Sequence, residues 1–160
     1  MVTSLDNVKV VLVEETNSTQ DYALKLVKED PENAYFVIAE KQTAGRGRKN
    51  NIWYSPEGGF WGTLAVPLKE LLSEKQLTIT HYATALMVQK AISEEYNVYT
   101  TIKWPNDIYL TNKKMGGVMV EYITGNTSYL NVGIGININL EYNDYPKELK
   151  HSMVSIKDIL

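Results

Sequence analysis

A chain of 160 residues with 44% apolar and 22% charged side chains is long enough to bury its own core without disulfides or a structural metal. It contains no cysteine, which excludes disulfide frameworks, zinc-thiolate sites and thiol nucleophiles together and suits a reducing compartment. A formal net charge of −3 argues against a general nucleic-acid binder, which needs a basic face.

Met1-Val2-Thr3-Ser4-Leu5-Asp6 has neither the basic nor the apolar segment of a signal peptide, and no apolar run nears membrane-spanning length. The reading is therefore a cytoplasmic protein with no membrane partner. Residues 9–14 alternate around valines and a leucine and predict a strand. Asn17-Ser18-Thr19 offers caps for a helix over residues 20–30, where Tyr22, Ala23, Leu26 and Val27 form an apolar stripe. Pro31 lies just past its end.

Residues 35–40 predict a second strand, and residues 61–67 a third after the turn-rich Ser55-Pro56-Glu57-Gly58-Gly59. Tyr82, Ala85, Leu86, Gln89, Ile92 and Tyr96 are spaced by three or four and predict a helix over 80–96. Residues 99–104 and Ile108-Tyr109-Leu110 flank a break at Pro105-Asn106-Asp107, and Lys113-Lys114-Met115-Gly116-Gly117 reads as another turn. Strands over 118–123 and 129–137 meet at the hairpin signal Gly125-Asn126. The order predicts an α+β domain: a mixed, largely antiparallel sheet with helices packed on one face.

Five segments carry more than structural duty. Thr16-Asn17-Ser18-Thr19-Gln20 fits a helix cap first and a small polar ligand second. In Gln42-Thr43-Ala44-Gly45-Arg46-Gly47-Arg48, glycines let the backbone curl around an anion while two guanidinium forks close on it. Arg46 and Arg48 are the only arginines in the chain, so the planar, permanently charged fork is reserved for this loop. Lys103-Trp104-Pro105-Asn106-Asp107 sets a charge pair, an amide and a stacking face on a fixed bend, as a strand-end turn or a magnesium–phosphate site would.

Lys114-Met115-Gly116-Gly117 puts a lysine where backbone can approach a ligand closely. Val132-Gly133-Ile134-Gly135-Ile136-Asn137 leaves a strand's backbone bare for a ligand or a helix to pack against. His81 and His151 adjoin no nucleophile or metal cluster, so nothing suggests a hydrolase. The chemistry on offer is charge stabilisation at a phosphoryl or carboxylate group.

In this order and spacing, Ser18-Thr19, Gln42 with Gly45-Arg46-Gly47-Arg48, Lys103-Trp104-Pro105-Asn106-Asp107, Lys114-Met115-Gly116-Gly117 and Gly133-Ile134-Gly135-Ile136-Asn137 strongly resemble the catalytic domain of biotin–protein ligases. The resemblance covers nearly the whole chain. It implies a class II aminoacyl-tRNA-synthetase-like domain that converts biotin and ATP to biotinyl-5′-AMP and pyrophosphate. Biotin then passes to one lysine of a biotin carboxyl carrier protein.

By that likeness Ser18, Thr19, Gln20 and Gln42 hold the biotin ring system, with Gly45 and Gly117 beside it. Arg46, Gly47 and Arg48 close over the biotin carboxylate and the phosphates, and Lys114 sits at the reacting carboxylate and α-phosphate. Lys103, Asn106 and Asp107 serve nucleotide, magnesium or target lysine, Asn137 lies beside the adenylate, and Trp53 packs on adenine. Lys114, Arg48, Asp107 and Lys103 are thus the catalytic candidates.

ATP and biotin are substrates and Mg2+ accompanies the nucleotide, with no metal ligand assigned. A homodimer is implied, with a strand such as 129–137 at the sheet edge. No DNA partner is expected, because no helix-turn-helix segment precedes residue 8.

Two features depart from the family pattern. Asn51 stands where many members carry a further basic residue after the loop. The segment 153–160 looks like the entry to a later helix, and that helix and a small C-terminal β-domain would lie beyond Leu160. A single catalytic domain over residues 1–160 is expected. The alternatives are a lipoate– or octanoate–protein ligase, disfavoured because no RRxSGGG-like segment occurs, and a non-catalytic module that holds biotin or biotinyl-AMP.

Overall fold

Strand side chains alternate between the two faces of a sheet, and that alternation places both the core and the cavity of this protein. The computed structural model describes residues 2–5, 7–125 and 127–160. Met1, Asp6 and the Asn126 half of the Gly125-Asn126 hairpin signal lie outside the described residues. The elements are β1 (Val2–Leu5), β2 (Val8–Thr16), α1 (Thr19–Glu29), β3 (Ala34–Gln42), β4 (Gly59–Leu68), α2 (Glu74–Tyr96), β5 (Thr100–Lys103), β6 (Asp107–Leu110), β7 (Lys113–Ile123) and β8 (Ser128–Asn137). Short 3-10 turns occupy Arg48–Asn50, Tyr142–Asp144 and Ile156–Asp158.

All the described strands join one sheet in the order β1-β2-β3-β4-β8-β7-β6-β5. β2 and β3 run parallel with α1 as their crossover, and every other named pair is antiparallel. The α+β class with a largely antiparallel sheet is therefore as expected. The helices divide between the faces instead of sharing one. α1 buries Ala23 and Val27 against Val37, Ala65 and Tyr129. α2 packs Ala85 on Val118, Val120 and Val132, which alternate with the residues facing α1. Each such fully buried aliphatic side chain is worth roughly 1.5–3 kcal/mol over exposure, so both faces need a covering helix.

Three further expectations change. Residues 113–117 are not a turn. They open β7, and the chain reverses at Thr111 and Asn112, both left-handed (φ 49 and 66), as a two-residue hairpin requires. α2 starts six residues earlier than its apolar spacing predicts, because Ser73 and Gln76 form a reciprocal capping box. Finally, β8 is an interior strand between β4 and β7. Its backbone groups are already paired on both sides, so residues 129–137 cannot form the edge of a dimer. The edges among the described strands are β1 and β5.

Within the segment 153–160 a 3-10 turn spans Ile156–Asp158. Met153 bridges Lys114 in parallel fashion, and Ile156 then buries itself beside Val154 and Ile136. No helix among the described residues is long and apolar enough to cross a membrane.

Candidate functional site

The α1 face of the sheet is left uncovered beyond the N-terminus of α1, and a cavity of about 450 Å³ opens there. Its floor is the glycine-bearing pair of strands, with Gly117 and Met119 of β7 beside Gly133, Gly135 and Asn137 of β8. Thr19, Gln20 and Gln42 form one wall, the loop from Arg46 to Tyr54 overhangs it, and Asn106, Asp107, Tyr109 and Lys114 form the opposite wall. Tyr145, Leu149, Ser152 and Met153 close the end.

The polar wall is cross-linked. Gln42 Oε1 accepts hydrogen bonds from Thr19 N at 2.8 Å and Thr19 Oγ1 at 3.0 Å, while its Nε2 donates to Ser55 Oγ at 2.8 Å. Thr19 Oγ1 also meets Thr63 Oγ1 at 2.8 Å. Ser18 occupies the N-cap position of α1, yet its side chain makes no capping bond. Its buried Oγ has no hydrogen-bond partner among the described residues. The capping role preferred from sequence is thus absent, and Ser18 holds a hydroxyl in reserve behind the wall.

The overhanging loop owes its path to close approaches. A Cβ on Gly45 would stand 2.4 Å from Trp53 O and 2.6 Å from Ser55 Oγ, so only glycine fits. The left-handed residue of this loop is Lys49 (φ 57), not a glycine. Gly47 N donates to Asn51 O at 2.7 Å, which engages the backbone of Asn51 in closing the turn. Trp53 then folds back over β8, where a Cβ on Gly135 would lie 2.5 Å from its Nε1. The bare strand at Gly135 therefore accommodates an indole, and that at Gly133 the amide of Gln20.

Charge converges on the far wall. Lys114 Nζ lies 2.7 Å from Asp107 Oδ1 and 5.1 Å above the Trp53 ring. Arg48 Nη1 reaches across to donate to Asn106 Oδ1 at 2.6 Å, and Asn106 Nδ2 donates to Val118 O at 2.7 Å. Arg46 instead forms ion pairs with Glu121 and Asp21, each at 2.9 Å. Partial burial works against its charge, but these two carboxylates outweigh that and raise its pKa further.

Of the residues singled out from sequence, Thr19, Gln20, Gln42, Arg46, Gly47, Arg48, Trp53, Asn106, Asp107, Lys114, Gly117 and Asn137 all line this one cavity. Ser18 and Gly45 stand just behind its lining. Lys103 is not on the lining itself: it is exposed, directly opposite Asp107 in the β5–β6 pairing, with Nζ 3.5 Å from Oη of the wall residue Tyr109.

Residues the sequence reading missed are Tyr145, Asn131 and Glu121. Tyr145 is buried, with its hydroxyl beside the side chain of Asn137. Burial first, then Asp158 and Asp144, hold that hydroxyl protonated far above the usual tyrosine range. The buried Nε1 of Trp53, pressed on β8 at Gly135, has no hydrogen-bond partner among the described residues. Such buried, unsatisfied donors cost stability unless a ligand pairs with them.

A glycine-floored cleft with a polar wall, a cationic wall and donors left unpaired defines a small-molecule-binding α+β domain suited to an anionic ligand. This chain belongs to the biotin/lipoate A/B protein ligase family, whose sequence profile matches residues 12–139. It is 40% identical over 144 residues to the bifunctional ligase/repressor BirA of Bacillus subtilis (strain 168), an alignment covering 88% of this chain and 43% of that protein. The chain therefore spans less than half the length of that relative.

Among solved structures, biotin protein ligase from Leishmania major in complex with biotin superimposes with a TM-score of 0.78. The identity is 28%, over 98% of this chain and 65% of that one. Biotin protein ligase from Aquifex aeolicus in complex with biotin and ATP gives a TM-score of 0.76 at 31% identity, over 97% of this chain and 61% of that one.

Proposed function

We propose that this domain activates biotin with ATP to biotinyl-5′-AMP and passes biotin to a lysine of a biotin carboxyl carrier protein. The observation that carries the reading is the convergence of Lys114, Asp107, Arg48 and Asn106 on one wall of a cavity whose opposite wall is neutral and polar. Two anions must meet in the first step. The carboxylate oxygen of biotin attacks the α-phosphorus, the bond to pyrophosphate breaks, and negative charge builds on the phosphoryl oxygens.

Lys114 and Arg48 stand where they can neutralise that charge, and each well-placed donor is worth on the order of 3–4 kcal/mol in such a step. Thr19, Gln20 and Gln42 are the residues to hold the uncharged ring system, with Ser18, Gly45 and Gly117 around it. Asn137 and Trp53 are those to face the adenylate. In the second step the target lysine amine attacks the acyl carbon and AMP leaves with the bonding electrons, and Asp107 is placed to accept a proton from that amine. Lys103, exposed beside Asp107 and Tyr109 at the edge of the cavity, is the residue to meet the nucleotide or the target lysine.

Mg2+ enters with the nucleotide phosphates. Among the described residues no group of three or more His, Cys, Asp or Glu is arranged to hold a metal, and Asp107 is the one carboxylate on the cavity lining. The phosphates themselves would thus supply most of the ligands. A homodimer built by strand pairing would use β1 or β5.

Pyrophosphate–ATP exchange with magnesium, compared across biotin, lipoate, octanoate and no acid, tests the reading. Exchange with biotin alone is expected. Exchange with lipoate or octanoate would replace the substrate assignment. Biotin binding without exchange would favour a non-catalytic binding module. The two solved structures, both biotin protein ligases with biotin bound, weigh against the lipoate reading.

A further inference from the structure

We propose that Glu121 is a positioning residue that clasps Arg46 of the glycine loop and Gln20 of α1, leaving Arg48 as the loop guanidinium free to face the ligand. The inference rests on the reading of the cavity as a biotin and ATP site, and it reassigns one of the two arginines. Glu121 lies on β7 on the same face as Gly117 and Met119, both on the cavity floor.

Its carboxylate accepts four hydrogen bonds from three elements. Arg46 Nη1 reaches Oε1 at 2.9 Å and Arg46 Nη2 reaches Oε2 at 3.1 Å, a bidentate fork. Gln20 Nε2 donates to Oε2 at 3.3 Å, and Asn131 Nδ2, directly across the β7–β8 ladder, donates to the same atom at 3.4 Å. An ionised carboxylate has about four lone-pair sites, two on each oxygen; Oε2 is crowded by three donors, while Oε1 is taken by Arg46 alone with one site to spare.

Two consequences follow. Arg46 also donates to Asp21 Oδ1 at 2.9 Å, so its single positive charge is answered by two carboxylates. An anionic ligand approaching Arg46 would meet net negative charge. Arg48 has a neutral partner, the side-chain oxygen of Asn106, and no ion pair among the described residues. Its charge remains available. The second consequence concerns Gln20, whose amide packs within 3.0 Å of where a Gly133 Cβ would sit. Donation of Nε2 to Glu121 fixes which end of that amide is the donor, and hence leaves Oε1 as the acceptor offered to the cavity.

The chain supplies its own reporter. An arginine-specific protease can cut only after Arg46 and Arg48, the two arginines of the sequence, so cleavage measures loop opening and nothing else in the folded protein. In ligand-free Glu121→Gln, loop cleavage is expected to speed up about tenfold, a value typical of coupled charge pairs. In biotin-dependent pyrophosphate exchange the same variant should raise KM for biotin about tenfold while kcat stays within about threefold, the signature of lost positioning. Arg46→Gln, followed by cleavage after Arg48 and by exchange, should do the same, and the double variant should be no worse than either single one.

Unchanged cleavage and KM in Glu121→Gln would overturn the clasp. So would additive effects in the double variant, or a hundredfold fall in kcat confined to Arg46→Gln, which would make Arg46 a ligand contact. Faster loop cleavage in Glu121→Gln from a native chain that shows no exchange with any acid would support the clasp and remove the ligase reading instead.

Discussion

Lys114 and Asp107 form their 2.7 Å ion pair although they are not opposite one another in the sheet. Asp107 pairs in register with Gly117, and Lys114 with Tyr109, across a bulge between Ile108 and Tyr109. The bulge sets Met115 as an extra residue, buried in the core beneath, and re-aims Lys114 along the strand. The lysine chain then runs over Gly117, its Cε at ordinary contact distance, 3.7 Å, from where a Cβ would sit there. A bulge that redirects a side chain beside a site is a recurrent device, and here it delivers the cation to the cavity wall.

Removing that cation separates chemistry from packing. Lys114→Ala should lower the rate of biotin-dependent pyrophosphate exchange by about 10²–10³, the cost of one charge-stabilising donor. The partly exposed pair contributes at most about 1 kcal/mol to folding, so the melting temperature should move by no more than about 2–4 °C. Calorimetry beside the exchange assay checks both, and retained exchange would mean that another lysine serves the reacting centre.

Much of this wall was legible in the sequence because its signals are local. The glycine–arginine loop, Lys103 to Asp107 and the Gly133–Gly135 strand each announce themselves within five to seven residues. What stayed hidden depends on partners far along the chain. Glu121 follows Val118-Met119-Val120 as an ordinary solvent-facing strand residue, and only the approach of Gln20 and Arg46, 101 and 75 residues away, gives it three of its four hydrogen bonds.

The Lys113–Gly117 stretch misleads for a related reason. Its glycines read as a turn, but they serve close packing: a Cβ on Gly116 would lie 2.5 Å from Ile136 Cδ1 and 2.7 Å from Gly135 O. The early start of α2 was available in principle, since Ser73-Glu74-Lys75-Gln76 is a capping-box pattern. The split of helices between the faces follows from register, which no local signal fixes.

Gly135 and Trp53 supply a second test. Gly135→Ala places a methyl 2.5 Å from Trp53 Nε1 and 2.8 Å from its Cε2, so the indole must move off the strand. Overpacking of this kind costs about 1–3 kcal/mol. In a Trp53→Ala background the same substitution should cost little, because the space is then empty. A double-mutant cycle by urea denaturation reads the coupling, and additive penalties would show that the strain has another source. ATP titrations of Gly135→Ala should also show weaker binding, since the displaced indole lines the cavity.

Acid stability should depend on a cluster away from the cavity. Asp30, at the C-terminal end of α1, accepts hydrogen bonds from Lys9 Nζ at 2.7 Å, Tyr35 Oη at 2.7 Å and Asn33 Nδ2 at 2.9 Å. Lys9 first, then Tyr35, hold its carboxyl down from 3.8 to about 2. A carboxylate with a depressed folded pKa contributes stability that is complete above its unfolded value and fades as pH falls through its folded value. The stabilising effect of Asp30 should therefore be full above pH 3.8 and lost as pH drops through about 2. Melting temperatures of the native chain and Asp30→Asn should differ most above pH 4 and converge near pH 2. A gap that persists undiminished at pH 2 would remove the assignment.

Under the proposed function, Arg48 and Asn106 are expected to govern retention of the intermediate. The 2.6 Å hydrogen bond from Arg48 Nη1 to Asn106 Oδ1 spans the cavity mouth, and the buried Asn106 amide is itself tied to Val118 O. Arg48 thus has a rigid partner on the far wall when the cavity is empty, and a mobile loop closed in this way shields a labile acyl phosphate from water. Arg48→Ala should leave biotin affinity within about threefold, as expected for a contact made mainly with the phosphoryl group. It should release biotinyl-AMP about tenfold faster or more, since off-rates absorb most of the loss when a closing contact is removed. Rapid filtration of preformed adenylate complex measures the release directly, and hydrogen exchange over residues 45–52 should show the native loop gaining protection on addition of biotin and ATP while the variant loop does not. Release at the native rate from Arg48→Ala would place the closing contact elsewhere on the loop, at Lys49 or the Asn51 turn.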